Sequence, residues 1–410
     1  MAEPSIKRKK DLNYQLSGLN YRLMTAVLFW CGLIVMSGMY LTIPLISVFS
    51  TSFNISPNDA AWTSTIFCIF FAAGCLVYGP LSDRYGRKKI ILIGMALLTI
   101  VSPLVGLFDN ICWIIALRAV QGLVAATFSP VALAYIVEMF PDTKKLTATG
   151  FLVTGFLMAG ITGQVISAFI NQYLSWNYVF DIIGIGYFIT IFLVMVFLPY
   201  DDIQRPKSSF MEVINNMGSL FKIKALVLTY AVDIMFLMSM MCMYTALGYY
   251  LSGPQFGLNS QEILYVRAVG IIGILFASTS GLLAKKFHFF NVLIAGLLIA
   301  AVSLILLGMV SNVLLLVALS VIFVAGIAVS TPNVIELIAQ LGGKARGSAL
   351  SIHTVILFVG AGVGPILATN LLATGISSLP YLVMGLILMV GVGLSLLIKR
   401  SVPTVDHHNQ

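Results

Sequence analysis

Charged and polar side chains are scarce in this chain, so the few inside apolar stretches carry most of its chemical information. Asp233 stands in Tyr230-Ala231-Val232-Asp233, and Glu336 follows Pro332 by four residues. A carboxyl group held away from water is costly as an anion, which suits a group that takes up and releases protons. Pro332 breaks a helical pattern and frees carbonyls that can line a cavity beside Glu336. Arg118, in Leu117-Arg118-Ala119-Val120-Gln121-Gly122, needs a partner or water for the same reason. Arg267, His353, Gln121 and Tyr40 complete the set of polar groups that a shared cavity could collect. Each has a plainer reading: a structural ion pair, hydrogen bonds to carbonyls, snorkelling for Arg267, or a satisfied donor for His353.

A second cluster is the turn Gly79-Pro80-Leu81-Ser82-Asp83-Arg84-Tyr85-Gly86-Arg87-Lys88-Lys89, set between two apolar runs. Gly79 lets helices approach closely, and Gly86 permits a tight turn. Asp83 can face a neighbouring helix N-terminus, where negative charge is favoured. Glu138 precedes Lys144 and Lys145 and is read as an ion-pair partner of Arg84.

Long apolar elements must position these groups. The chain has 410 residues, 59% hydrophobic and 9% charged, more apolar surface than one water-soluble core can hide. Twelve runs are long enough to cross a bilayer as helices: about 24–48, 61–81, 89–109, 111–139, 146–170, 177–199, 225–251, 262–284, 289–309, 313–340, 347–372 and 379–399. Lipid offers no partners to the backbone, so an all-α membrane protein is expected. Lys7-Arg8-Lys9-Lys10 precede the first run, which is too long for a cleaved signal and is read as a retained span.

Of 23 Lys and Arg, only Arg118 and Arg267 fall in the interior of runs; the others all lie on one side. That distribution predicts a cell-membrane protein with both termini cytoplasmic, and reads the net charge of +8 as topology rather than nucleic-acid binding. The five cysteines show neither metal spacing nor loop pairing.

At an offset of 202 residues the chain repeats itself: Gly79 with Gly281, Asn110 with Asn312, Ser129-Pro130 with Thr331-Pro332, and Gly160 with Gly362. Gly163 matches Gly364 at 201. This predicts two pseudo-symmetric six-helix bundles, 24–199 and 225–399, between tails 1–23 and 400–410. The linker 200–224 carries Phe210, Val213, Ile214, Met217, Leu220 and Phe221 at helical spacing, the pattern of a surface helix.

The turn after the second span resembles the signature loop of the major facilitator superfamily, and the resemblance covers essentially the whole chain. Arg-x-x-Gln-Gly from Arg118 to Gly122 resembles the motif of that family's drug–proton antiporter branch, bacterial multidrug and metabolite efflux transporters with twelve spans. The resemblance implies a cytoplasmic gate made by Gly79, Asp83, Arg84, Gly86, Arg87 and Glu138, and a role for Arg118 in proton coupling. Packing and kink positions are Gly160, Gly163, Gly364 and Pro365; Gln164 stands where the branch has a proline. The leading expectation is proton-coupled export of small organic molecules by alternating access, with Asp233 or Glu336 carrying the proton. Proton symport, uncoupled facilitation and a transporter-like sensor are the alternatives, and an enzyme lacks a nucleophile–base pair or metal cluster. No cofactor is expected, the proton gradient being the energy source. Expected partners are a small-molecule substrate, protons and the lipid bilayer, with no nucleic acid and the chain acting as a monomer.

Overall fold

The computed structural model describes residues 20–201, 217–258 and 260–401. Twelve helices in it are long and apolar enough to cross a membrane. They are α1 Tyr21–Tyr40, α2 Asp59–Tyr85, α3 Arg87–Gly106, α4 Ile111–Met139, α5 Asp142–Tyr173 and α6 Trp176–Phe197 in the first half. The second half holds α7 Lys224–Ser252, α8 Tyr265–Phe287, α9 Phe289–Leu307, α10 Val313–Gly342, α11 Arg346–Leu372 and α12 Leu379–Ser401. Among the described residues there is no strand. Most of the linker helix expected within 200–224 lies outside the described residues, of which 217–220 are helical.

The repeat is written into the local chemistry. Asn110 caps α4, its Oδ1 accepting from the Cys112 N–H at 2.9 Å. Asn312 caps α10 in the same way, accepting from Leu314 at 2.9 Å and Leu315 at 3.2 Å. Each cap satisfies amides that a helix start leaves without partners.

Glycines set the interhelical distances. α1 packs on α5, where a Cβ at Gly163 would lie 2.8 Å from the Ser37 carbonyl. The matching pair is α7 on α11, where a Cβ at Gly364 would lie 2.5 Å from the Met238 carbonyl. Pro365 is carried inside α11 just beyond that contact. Gly160 is looser, facing the Tyr40 ring at 3.6 Å. Where proline was expected, the Gln164 side chain donates to the Gly160 carbonyl at 2.5 Å.

Gly122 marks the crossing of α2 and α4: a Cβ there would run into the Phe67 backbone. Gly122→Ala must therefore push the two helices apart, at a cost of roughly 1–3 kcal/mol. A thermal melt in detergent is expected to show this as a lowered midpoint, and an unchanged midpoint would mean the seam can relax.

Candidate functional site

The two halves meet over a narrow cavity lined by Met36 and Tyr40 of α1, Ser129 and Leu133 of α4, and Phe156 of α5. Phe236 and Met240 of α7, Thr331 and Ile335 of α10, and His353 and Phe358 of α11 close it from the other side. The space open to the centre of a water molecule is about 60 Å³. Larger ligands require the halves to part further. The lining is apolar and aromatic, with Tyr40, Ser129, Thr331, His353 and Thr354 as its polar points.

Behind this lining lies a buried ionisable pair. His353 Nδ1 sits 2.7 Å from Asp233 Oδ2, joining α11 to α7. Both side chains are shielded from solvent. The second carboxyl oxygen, Asp233 Oδ1, is buried with no hydrogen-bond partner. Tyr230, one turn earlier, anchors the same seam by donating to the Ala349 carbonyl at 2.9 Å. Such a pair tolerates burial when it carries no net charge.

The other sequence candidates are placed elsewhere. Glu336 is absent from the cavity lining; its Oε1 accepts from the Gln340 side chain at 3.0 Å. Thr331 and Ile335 face the cavity, and the next residue is turned about 100° away around the helix. Arg118 is fully buried within the first half, donating to the carbonyls of Thr63 at 3.0 Å, Gly38 at 2.9 Å and Met39 at 3.4 Å. Its Nη1 also reaches Gln121 Oε1 at 2.9 Å, and the guanidinium lies over the Phe67 ring at 4.4 Å. Gln121 in turn donates to Ser102 at 2.8 Å. Neither Arg118 nor Gln121 lines the cavity, because the guanidinium is enclosed by carbonyls, the Gln121 side chain and the Phe67 ring. Arg267 lies at the α7–α8 seam, outside the lining.

A second assembly closes the end of the molecule that carries the basic loops. Gly86, at φ +98°, ends α2 and starts α3, so the chain reverses there and Arg87 points back into the protein. Arg87 is fully buried between two carboxylates, Asp83 and Glu138, the latter at 2.9 Å. It also bonds Ser82 and the Gly79 carbonyl. Asp201, just past α6, caps α3 by accepting from the backbone N–H of Arg87 at 2.6 Å and of Lys88 at 3.1 Å. The expectation that Arg84 pairs with Glu138 is corrected here: Arg84 is exposed and lies over the Tyr85 ring, because it precedes the Gly86 reversal. Sequence reasoning passed over Asp201, whose only signal was an acid at the start of the linker.

This assembly touches the second half. Asp83 oxygens lie 2.7 and 2.8 Å from where a Cβ on Gly347 would stand, in the first turn of α11. Gly79 abuts Ser351 of α11, and Gly281 of α8 abuts Thr147 of α5, related by the internal repeat. Glu138 also faces Arg346 across the halves at 3.8 Å. That last contact is long and partly solvated, so it contributes up to about 1 kcal/mol. Arg346→Gln is expected to speed hydrogen exchange in the first turns of α11 by at most about fivefold. A much larger increase would mean the contact is a principal lock.

Two duplicated six-helix bundles around a shared cavity, closed at one end, are the architecture of a membrane transporter. The family model of the Major Facilitator Superfamily matches residues 28–292, and the chain belongs to that family. It is 25% identical to an uncharacterized transporter of Buchnera aphidicola subsp. Schizaphis graminum, over 82% of this chain and 81% of the relative. An uncharacterized MFS-type transporter of Bacillus subtilis, YybF, is 22% identical over 68% of this chain and 69% of its own length. The multi-drug resistance efflux pump PmrA of Streptococcus pneumoniae is 25% identical over 79% and 83%. Family membership makes the chain a multi-pass transporter, not an enzyme.

Proposed function

We propose that this chain exports small, largely apolar organic molecules across the cell membrane in exchange for protons. The observation that carries this reading is the buried Asp233–His353 pair, which joins α7 to α11 with its histidine in the wall of the central cavity. The likeness to PmrA, a multi-drug resistance efflux pump, supports export of drug-like compounds. The apolar, aromatic lining supports the same substrate class. The bias of basic residues towards one face supports both termini, and the closed end, being cytoplasmic.

In this reading the cavity opens away from the basic face, the pair takes a proton, and substrate leaves. The halves then rock about the cavity, breaking the Arg87 assembly, and the proton departs inwards as new substrate enters. Proteoliposomes holding a pH-sensitive dye, given a panel of lipophilic dyes and drug-like compounds, test it. Substrate-triggered proton movement opposite to substrate flux is expected. Substrate flux without proton movement would overturn coupling, and flux of both in one direction would make the chain a symporter.

A further inference from the structure

The α7–α8 seam, at the end away from the basic loops, holds two buried polar atoms without partners: Arg267 Nε and the Tyr244 hydroxyl. Arg267 Nη2 donates to the Tyr244 carbonyl at 3.2 Å, so the two residues are neighbours. Gly270, in the turn that interrupts α8 three residues after Arg267, leaves the room that the Tyr244 hydroxyl occupies. Gly248, four residues after Tyr244, does the same for the guanidinium: a Cβ there would lie 2.9 Å from Nη2. Two glycines thus let the two side chains nest side by side in a cradle between the helices, and both can donate.

None of the ion pairs among the described residues includes Arg267. Glu262, five residues earlier, is exposed. Arg118 is the instructive contrast, since the same side chain in the first half spends its donors on carbonyls and Gln121. A guanidinium with an unpartnered Nε beside an unpartnered hydroxyl donor matches an acceptor-only, planar group. Tyr244 follows Phe236 and Met240 at four-residue spacing, one turn beyond the last α7 residue of the cavity lining.

We propose that Arg267 and Tyr244 bind a carboxylate at the mouth of the central cavity opposite the basic face. The site does not depend on proton coupling. It gives a ligand with an acidic group a place to dock before or after the apolar cavity.

The test uses the full chain in lipid nanodiscs at constant ionic strength, with benzoate and inorganic phosphate as separate probes. Benzoate is expected to raise the melting temperature saturably. Arg267→Gln should abolish the rise, and Tyr244→Phe should weaken apparent affinity about tenfold without lowering the ligand-free melting temperature, because the hydroxyl it removes is unpartnered. A saturable rise with phosphate as well, also lost in Arg267→Gln, keeps the site and identifies a general oxyanion as its occupant. No saturable response to either probe, or equal responses in wild type and Arg267→Gln, overturns the proposal. If Arg267→Gln does not fold, Arg267→Lys and Tyr244→Phe serve instead: Lys keeps the charge but loses the planar fork, and unchanged affinity in both overturns it.

Discussion

Asp233→Asn is expected to leave a folded transporter that no longer couples to protons. Asparagine keeps the size of the side chain and a hydrogen bond to His353 Nδ1, now 2.7 Å from the carboxylate. It removes the carboxyl group from the pair that the proposed cycle protonates. A buried pair is tolerated best near zero net charge. On the proposed reading the pair exchanges a proton only while the cavity is open to water, on one side and then on the other. With one proton per cycle, a gradient of one pH unit drives at most about tenfold accumulation of substrate. The variant should show none of that accumulation while still exchanging labelled substrate down its own gradient. Flux and dye fluorescence in the same proteoliposomes read both quantities. Full proton-driven accumulation by Asp233→Asn would move the coupling site elsewhere, and Glu336→Gln is then the next variant. His353→Asn is a harsher change, because it strands the carboxylate without its partner.

The architecture was legible because it rests on properties that each segment carries by itself. A run of apolar residues longer than a bilayer is thick becomes a helix whatever its neighbours do. Asn110 and Asn312, read only as a repeat, prove to be the caps of α4 and α10. Gly79 and Gly281 prove to be repeat-related close approaches between halves. The site was legible only in part, because it depends on which faces meet. Asp233 and His353 are 120 residues apart, and only the packing of α7 on α11 brings them together. Arg84 and Arg87 are both basic residues of one loop, and the backbone reversal at Gly86 decides which is buried. Glu336 and Ile335 differ by one position, and one position on a helix decides between the cavity and its flank. The glycines at 248 and 270 gave no signal, since room for an arginine head is visible only once two helices are placed side by side.

Arg118→Met is expected to damage the fold rather than the coupling step, and the reason lies at the far end of α1. That helix stops at Tyr40, and residues 41–45 form turns that contain Pro44. Proline has no N–H, so the Tyr40 carbonyl cannot find its usual partner four residues on, and the helix cannot continue. Its last carbonyls face protein and lipid instead of water, where an unmet acceptor is expensive. Arg118, reaching across from α4, donates to those of Gly38 and Met39, while Ser167 from α5 donates to that of Leu41 at 2.6 Å. The buried arginine is thus the cap of a helix that ends inside the protein. Removing it orphans two carbonyls and Gln121 Oε1 together, at roughly 1–3 kcal/mol each. That sum is a large fraction of an ordinary protein's whole stability. Arg118→Lys restores the charge and some donors, but a single ammonium cannot span Thr63, Gly38 and Gln121, so recovery should be partial. The decisive measurement is transport per folded molecule, with folding followed by size-exclusion and thermal melts. Activity that falls only as the folded fraction falls fits a cap. A well-folded Arg118→Lys protein that binds substrate yet moves no protons would instead place Arg118 in the coupling mechanism, as the resemblance of Arg-x-x-Gln-Gly first implied.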